Sequence, residues 1–194
     1  MPMKKRLSWL VVVTIIVVLG VSWYYYDSMK NDDKSGLGDK GVDEVAKVLN
    51  KDIEASYPYT AREVVQFFVR IQKCYYNEEY TEEELVKLAY KATGLFDDEL
   101  KAENKFDEYF EDLKEEINSF NKDSKVINRV ILDKSSEIVY STVDEQKYAS
   151  INCTYYVKGN AGTSKVMETY ILRKDEAGRW KILGWKEYEG SEWE

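Results

Sequence analysis

The chain has 194 residues, with 28 Lys and Arg against 36 Asp and Glu, a formal net charge of −8, and no His. Without imidazole there is no Ser-His-Asp or Cys-His catalytic arrangement, and the commonest zinc ligand is missing. The acidic balance argues against nucleic acid as a partner, because phosphate backbones repel a surface of the same sign.

Leu7 to Tyr26 is a run of twenty residues without a charge. A helix rising about 1.5 Å per residue would carry it across a hydrocarbon core of roughly 30 Å, so residues 7–26 are expected to be a transmembrane helix with the lipid bilayer as partner. Lys4, Lys5 and Arg6 precede the run and Asp27 follows it. The positive-inside bias therefore makes residues 1–6 a cytoplasmic basic tip and places the rest of the chain outside the cell membrane. Trp9 and Trp23 mark the two edges, where aromatic rings prefer the headgroup zone. A cleaved signal peptide is the competing reading, but the apolar run is long and ends in Trp-Tyr-Tyr-Tyr where a peptidase needs small residues. With the three N-terminal bases set apart, 25 basic and 36 acidic side chains remain, a net of −11. Residues 27–42 carry Gly36, Gly38 and Gly41 among polar residues and read as a flexible tether spanning roughly 20 Å.

Residues 43–190 read as one α+β domain. Asp43–Asn50 places Val45, Val48 and Leu49 on one side of a short helix. Pro58 breaks the chain, and Thr60 with Glu63 forms a capping box opening a helix with Val64, Phe67, Phe68, Ile71, Cys74 and Tyr75 on one face. Thr81 with Glu84 opens a second helix that buries Leu85, Leu88, Ala89 and Ala92, and Gly94 is expected as its left-handed cap. From Asp97 to Phe120 the apolar spacing predicts one longer helix. Its other face, Asp107, Glu108, Glu111, Asp112, Glu115 and Glu116, lacks the turn glycines of a cation loop and reads as a solvated surface, so no metal is expected.

The period then changes to two. Lys125–Leu132, Glu137–Val143, Lys147–Lys158, Ser164–Lys174 and Arg179–Tyr188 read as strands of an antiparallel meander. In the third, Ala149, Ile151, Cys153, Tyr155 and Val157 share one face. Cys74 and Cys153 are too far apart for a CxxC motif. Two readings stay open: a disulfide worth up to ~4 kcal/mol in the chain-entropy model, or two free thiols packed as small apolar groups.

Helices leading into strands that close with Tyr170-Ile-Leu-Arg-Lys-Asp-Glu-Ala-Gly-Arg-Trp-Lys-Ile-Leu-Gly-Trp185 resemble the NTF2-like (cystatin-like α+β) superfamily over roughly residues 57–188. The runs Tyr57-Pro-Tyr-Thr-Ala-Arg-Glu-Val-Val, Cys74-Tyr-Tyr-Asn-Glu-Glu-Tyr-Thr-Glu-Glu-Glu-Leu and Asp97-Asp-Glu-Leu are similar to an uncharacterised family of single-pass proteins of clostridial Gram-positive bacteria. The first resemblance implies helices laid on a curved sheet that forms a cone, with Tyr155, Tyr170, Trp180 and Trp185 as candidate lining of its cavity. It implies no cofactor, and the superfamily's catalytic Asp or His pattern is not met, so no catalytic residue is assigned. The expected function is a membrane-anchored, extracytoplasmic module that binds an envelope protein, with small-ligand binding in the cone as the alternative. A carboxylate-based hydrolase or isomerase would need an Asp or Glu inside the cone with a raised pKa.

Overall fold

The computed structural model describes residues 43–187. The expected basic tip, membrane span and tether lie outside the described residues, as do 188–194. Among the described residues no helix is long and apolar enough to cross a membrane. Five helices pack on an antiparallel sheet, the expected α+β layout.

Side-chain caps set the helix starts. In α1 (Glu44–Asn50) the Asp43 carboxylate accepts from Val45 N at 2.9 Å, and Val45 and Val48 are buried. For α2 (Ala61–Asn77) Thr60 Oγ1 accepts from Glu63 N at 3.2 Å while Glu63 Oε2 accepts from Thr60 N at 3.0 Å, a reciprocal capping box. Its apolar face is buried at all six expected positions. The same box starts α3 (Glu82–Thr93), from Thr81 and Glu84. Gly94 departs from expectation, since its φ of −61° is right-handed. The site is tight, since a Cβ there would stand 2.9 Å from the end of the Ile53 side chain and 3.3 Å from the Lys91 carbonyl, so a larger residue would require Ile53 to move.

The single helix expected over 97–120 is two, α4 (Asp98–Glu103) and α5 (Phe106–Lys122). Tertiary anchors divide it. Asp97 N donates to the Ile182 carbonyl at 2.7 Å, and the Asp97 side chain caps α4 through Glu99 N. These bonds hold α4 against the last strand, while α5 packs on α2 and α3, with the Phe106 ring stacked 3.9 Å from Tyr90. One straight rod cannot serve both places.

The strands are β1 (Val126–Leu132), β2 (Val139–Val143), β3 (Gln146–Gly159), β4 (Gly162–Lys174) and β5 (Trp180–Glu187). The meander holds for β3, β4 and β5, but β1 and β2 do not pair with one another. They lie end to end along the 14-residue β3, with β2 on its first half and β1 on its second. Asp133 marks the junction, its N donating to the Asn152 carbonyl at 3.0 Å and its Oδ2 accepting from Asn152 N at 2.8 Å. The Asn77 side chain, at the end of α2, clasps both backbone groups of Ile127 at 2.8 Å, next to an irregularity in β1.

The five residues expected on the inner face of β3 are all buried. In β5 the pairing steps from Leu172 with Ile182 to Ile171 with Gly184, leaving Leu183 as an extra residue. A bulge of this kind reverses side-chain alternation beyond it, so Trp185 turns toward the helices, opposite Tyr170.

Candidate functional site

The cavity of interest lies between α2, α5 and the end of β5 and measures about 200 Å³. From α2, Phe68, Gln72, Tyr75 and Tyr76 reach it, a spacing that brings all four to one helix face. From α5 come Tyr109, Asp112, Leu113 and Glu116, again at threes and fours. Trp185 closes the remaining side, its ring 5.6 Å from Phe68 and 6.0 Å from Tyr170. The walls are therefore aromatic and the rim carries two carboxylates, Asp112 and Glu116, both on exposed residues.

A hydrogen-bonded chain runs from the cavity into the sheet. Tyr155 Oη donates to Gln72 Oε1 at 2.8 Å or to Tyr170 Oη, also at 2.8 Å. Tyr170 Oη donates to Glu168 Oε2 at 2.6 Å. Burial is the main cause that pushes both tyrosines well above their ordinary range, which keeps them as neutral donors. Tyr75 differs. It is 3 % exposed, and its hydroxyl is sealed from water beside the Tyr109 hydroxyl.

Of the four expected lining residues, Trp185 walls the cavity, and Tyr155 and Tyr170 lie behind it, joined to it through Gln72. Trp180 is elsewhere. It packs against Tyr140 at 5.7 Å with Lys174 Nζ 5.2 Å from its ring, and its carbonyl accepts from Tyr57 Oη.

Glu168 is the residue that sequence reasoning passed over. The tight β3–β4 turn pairs Gly159 with Gly162, and this register sets Glu168 opposite Cys153, on the inner face. Burial is the largest cause raising its pKa; the Tyr170 hydroxyl opposes it, and the Glu116 and Glu187 charges add to it. No ion pair among the described residues includes Glu168. A carboxyl with a raised native pKa favours folding most when protonated; that advantage is full below the unfolded pKa and is lost as pH climbs through the native value. Glu168→Gln keeps an acceptor for Tyr170. The substitution is expected to raise the melting temperature at about pH 8 and to change little below about pH 4, where the carboxyl is protonated in both states. Thermal melts of the two proteins across that range check it.

Cys74 and Cys153 are free thiols, each with no exposed surface. The disulfide reading is thus not realised in this structure. Burial is the main cause that pushes both thiols up to about 12, far from the thiolate form needed for reaction. Iodoacetamide at pH 8 is expected to label neither cysteine in the folded chain and both after denaturation without reductant, as read by mass spectrometry. A bridged pair would stay unlabelled in both conditions.

Among the described residues no group of three or more His, Cys, Asp or Glu is placed to hold a metal ion. A search of curated proteins finds no match. A family described as a domain of unknown function, DUF6715, matches residues 1–185. The chain belongs to this family. The DUF6715 match takes in the apolar segment 7–26 together with the α+β domain, and it agrees with the expected membership of an uncharacterised family. Family membership in DUF6715 carries no assigned activity, so the functional argument rests on the residues around the cavity.

Proposed function

We propose that the chain is a single-pass, membrane-anchored protein whose extracytoplasmic α+β domain is an NTF2-like binding module, with the cavity between α2, α5 and Trp185 as a small-ligand site. The observation that carries the ligand reading is the half-open, aromatic-walled cavity with the Gln72 side chain and two rim carboxylates among its lining. A concave, mostly apolar space with a few polar groups is the usual form of a small-ligand site. The NTF2-like part is supported by a long helix, α2, lying against a sheet whose strands bulge and bend. The anchor is supported by the uncharged run 7–26 and the bases before it.

The binding is non-catalytic. Among the described residues Glu168 is the one inner-face carboxylate with a raised pKa, but it is not among the residues that wall the cavity. A bound molecule would meet Gln72, aromatic rings and the exposed rim carboxylates of Asp112 and Glu116 rather than a desolvated general base.

A second observation favours docking of an envelope protein. All five residues of β2 are exposed, among them Val139 at 64 % and Val143 at 55 %, and the strand pairs only with β3. Such an edge accepts an extended segment by strand addition.

Native mass spectrometry of the full chain, extracted from its own membrane in a non-ionic detergent, tests the ligand reading. A retained small molecule, lost in the rim variant Asp112→Trp, is expected; a spectrum of bare chain in both proteins overturns it. Protease added to intact cells is expected to degrade the domain, and its protection would overturn the outside placement.

A further inference from the structure

We propose that the cavity binds a methylated ammonium group, the chemistry of a choline-type head. This rests on the small-ligand reading above and names its chemical class.

Two independent features converge on that class. The first is the wall. Phe68, Tyr75, Tyr76, Tyr109 and Trp185 turn aromatic groups toward one cavity. Ring faces carry a negative quadrupole, and several rings about one space form the kind of cage that holds a quaternary ammonium, which is large, weakly hydrated and cheap to strip of water. The second is charge. Asp112 and Glu116 stand at the rim, with Glu168 behind, and no ion pair among the described residues includes any of the three. Glu168 and Glu116 are close enough to repel one another. A cation seated between them relieves that repulsion, whereas an anion or a neutral sugar does not.

Size agrees. At the roughly 30 Å³ that one water occupies in the liquid, a space of about 200 Å³ admits about six or seven heavy atoms. That accommodates a trimethylammonium head with a short hydroxyalkyl arm. The source is either a free methylated ammonium compound or the headgroup of a lipid, and the same chemistry serves both.

The test is titration calorimetry on the full chain in maltoside micelles with four probes: choline, tetramethylammonium, the neutral carbon isostere 3,3-dimethyl-1-butanol, and dihexanoylphosphatidylcholine below its micelle concentration. Choline is expected to bind at least about tenfold more tightly than its neutral isostere, the scale of a desolvated cation–π contact. Replacing both rim carboxylates, Asp112→Asn with Glu116→Gln, is expected to shrink that ratio to about threefold or less. Tyr109→Leu, which removes one ring of the wall, is expected to weaken choline and tetramethylammonium alike, by about threefold or more, and the neutral isostere less. Choline binding without the phospholipid assigns a free ligand, and the phospholipid binding more tightly assigns a headgroup. Equal binding of choline and its isostere overturns the cationic class and leaves the small-ligand site standing. No binding by any ammonium probe also overturns it; the retained molecule in the native spectrum then decides the small-ligand reading separately.

Discussion

Asp97→Ala is expected to be the most damaging single change in the described domain. Asp97 is 5 % exposed and works in three directions. Its carboxylate holds the Arg173 guanidinium through two bonds, Oδ2 to Nε at 3.1 Å and Oδ1 to Nη2 at 2.5 Å. The same side chain caps α4 through Glu99 N, and its backbone N donates to Ile182 in β5. Arg173 also reaches Glu99 at 3.0 Å, but Glu99 is more than half exposed. Removing Asp97 leaves Arg173, only a quarter exposed, with that one solvated partner, and strips the cap. Breaking a buried pair from one side costs about 3–5 kcal/mol, and loss of a cap adds about 1 kcal/mol. Partial exposure of Arg173 moves the expectation to the lower end, about 3–4 kcal/mol, or a fall of roughly 10 °C in melting temperature at this size. Asp98→Ala serves as the control, since its side chain is 99 % exposed and its pair with Lys101 is a surface one. If the two variants melt alike, the Asp97 clasp does not hold α4 to the sheet.

Phe68→Ala is expected to come close behind and to act on the cavity as well as the fold. The ring is 2 % exposed and stands 5.6 Å from Phe96, 5.9 Å from Tyr170 and 5.6 Å from Trp185, the centre of an aromatic cluster tying α2 to β4 and β5. Truncating a buried Phe costs about 3–5 kcal/mol, because the space left behind relaxes only in part. Phe68→Leu keeps most of the volume and is expected to cost under about 2 kcal/mol. Tyr59→Ala, at a position 91 % exposed, is expected to stay within about 0.5 kcal/mol of the parent. Chemical denaturation of the three variants ranks them, and a Phe68→Ala protein as stable as Tyr59→Ala would show that the cluster is not a core.

The helical half of the fold was legible where a start signal and an apolar stripe agreed, as at Thr60 with Glu63 and at Thr81 with Glu84. It was not legible between Asp97 and Phe106. That stretch has no Pro or Gly, its apolar spacing runs through the break, and the division comes from Asp97 and Phe106 being fixed to different partners. Local sequence holds no trace of such a conflict. Strand β3 was read correctly, within a residue at each end, because the alternation from Ala149 to Val157 is hard to mistake. The pairing of β1 and β2 was not, because two short exposed strands fit a hairpin as well as two halves of one edge.

The candidate site was half legible. Tyr155 and Tyr170 follow from parity on the β3–β4 hairpin. Carrying the same register two residues back from Tyr170 would also have found Glu168. Trp180 and Trp185 are an odd number of residues apart, so a regular strand would send them to opposite faces. Only the extra residue at Leu183 puts Trp185 over the helices, and nothing in Ile-Leu-Gly-Trp announces a bulge except the glycine beside it. The α2 and α5 contributions were read as plain core and solvated surface. Whether Tyr75, Tyr76 and Glu116 meet each other depends on how the two helices approach, which no local pattern encodes.

Helix α1 gives the domain a mechanical asymmetry. Any pull arriving along the chain before Asp43 is borne first by a seven-residue helix with two buried side chains, Val45 and Val48, and by the Glu44 to Arg70 contact at 2.6 Å. Behind it, α2 is locked by a capping box and by nine buried residues. If the chain is anchored as proposed, tension would load α1 before α2 or the sheet and could unravel a turn or two of helix. Under that proposal α1 is the yielding element, and the cavity between α2 and α5 lies behind it.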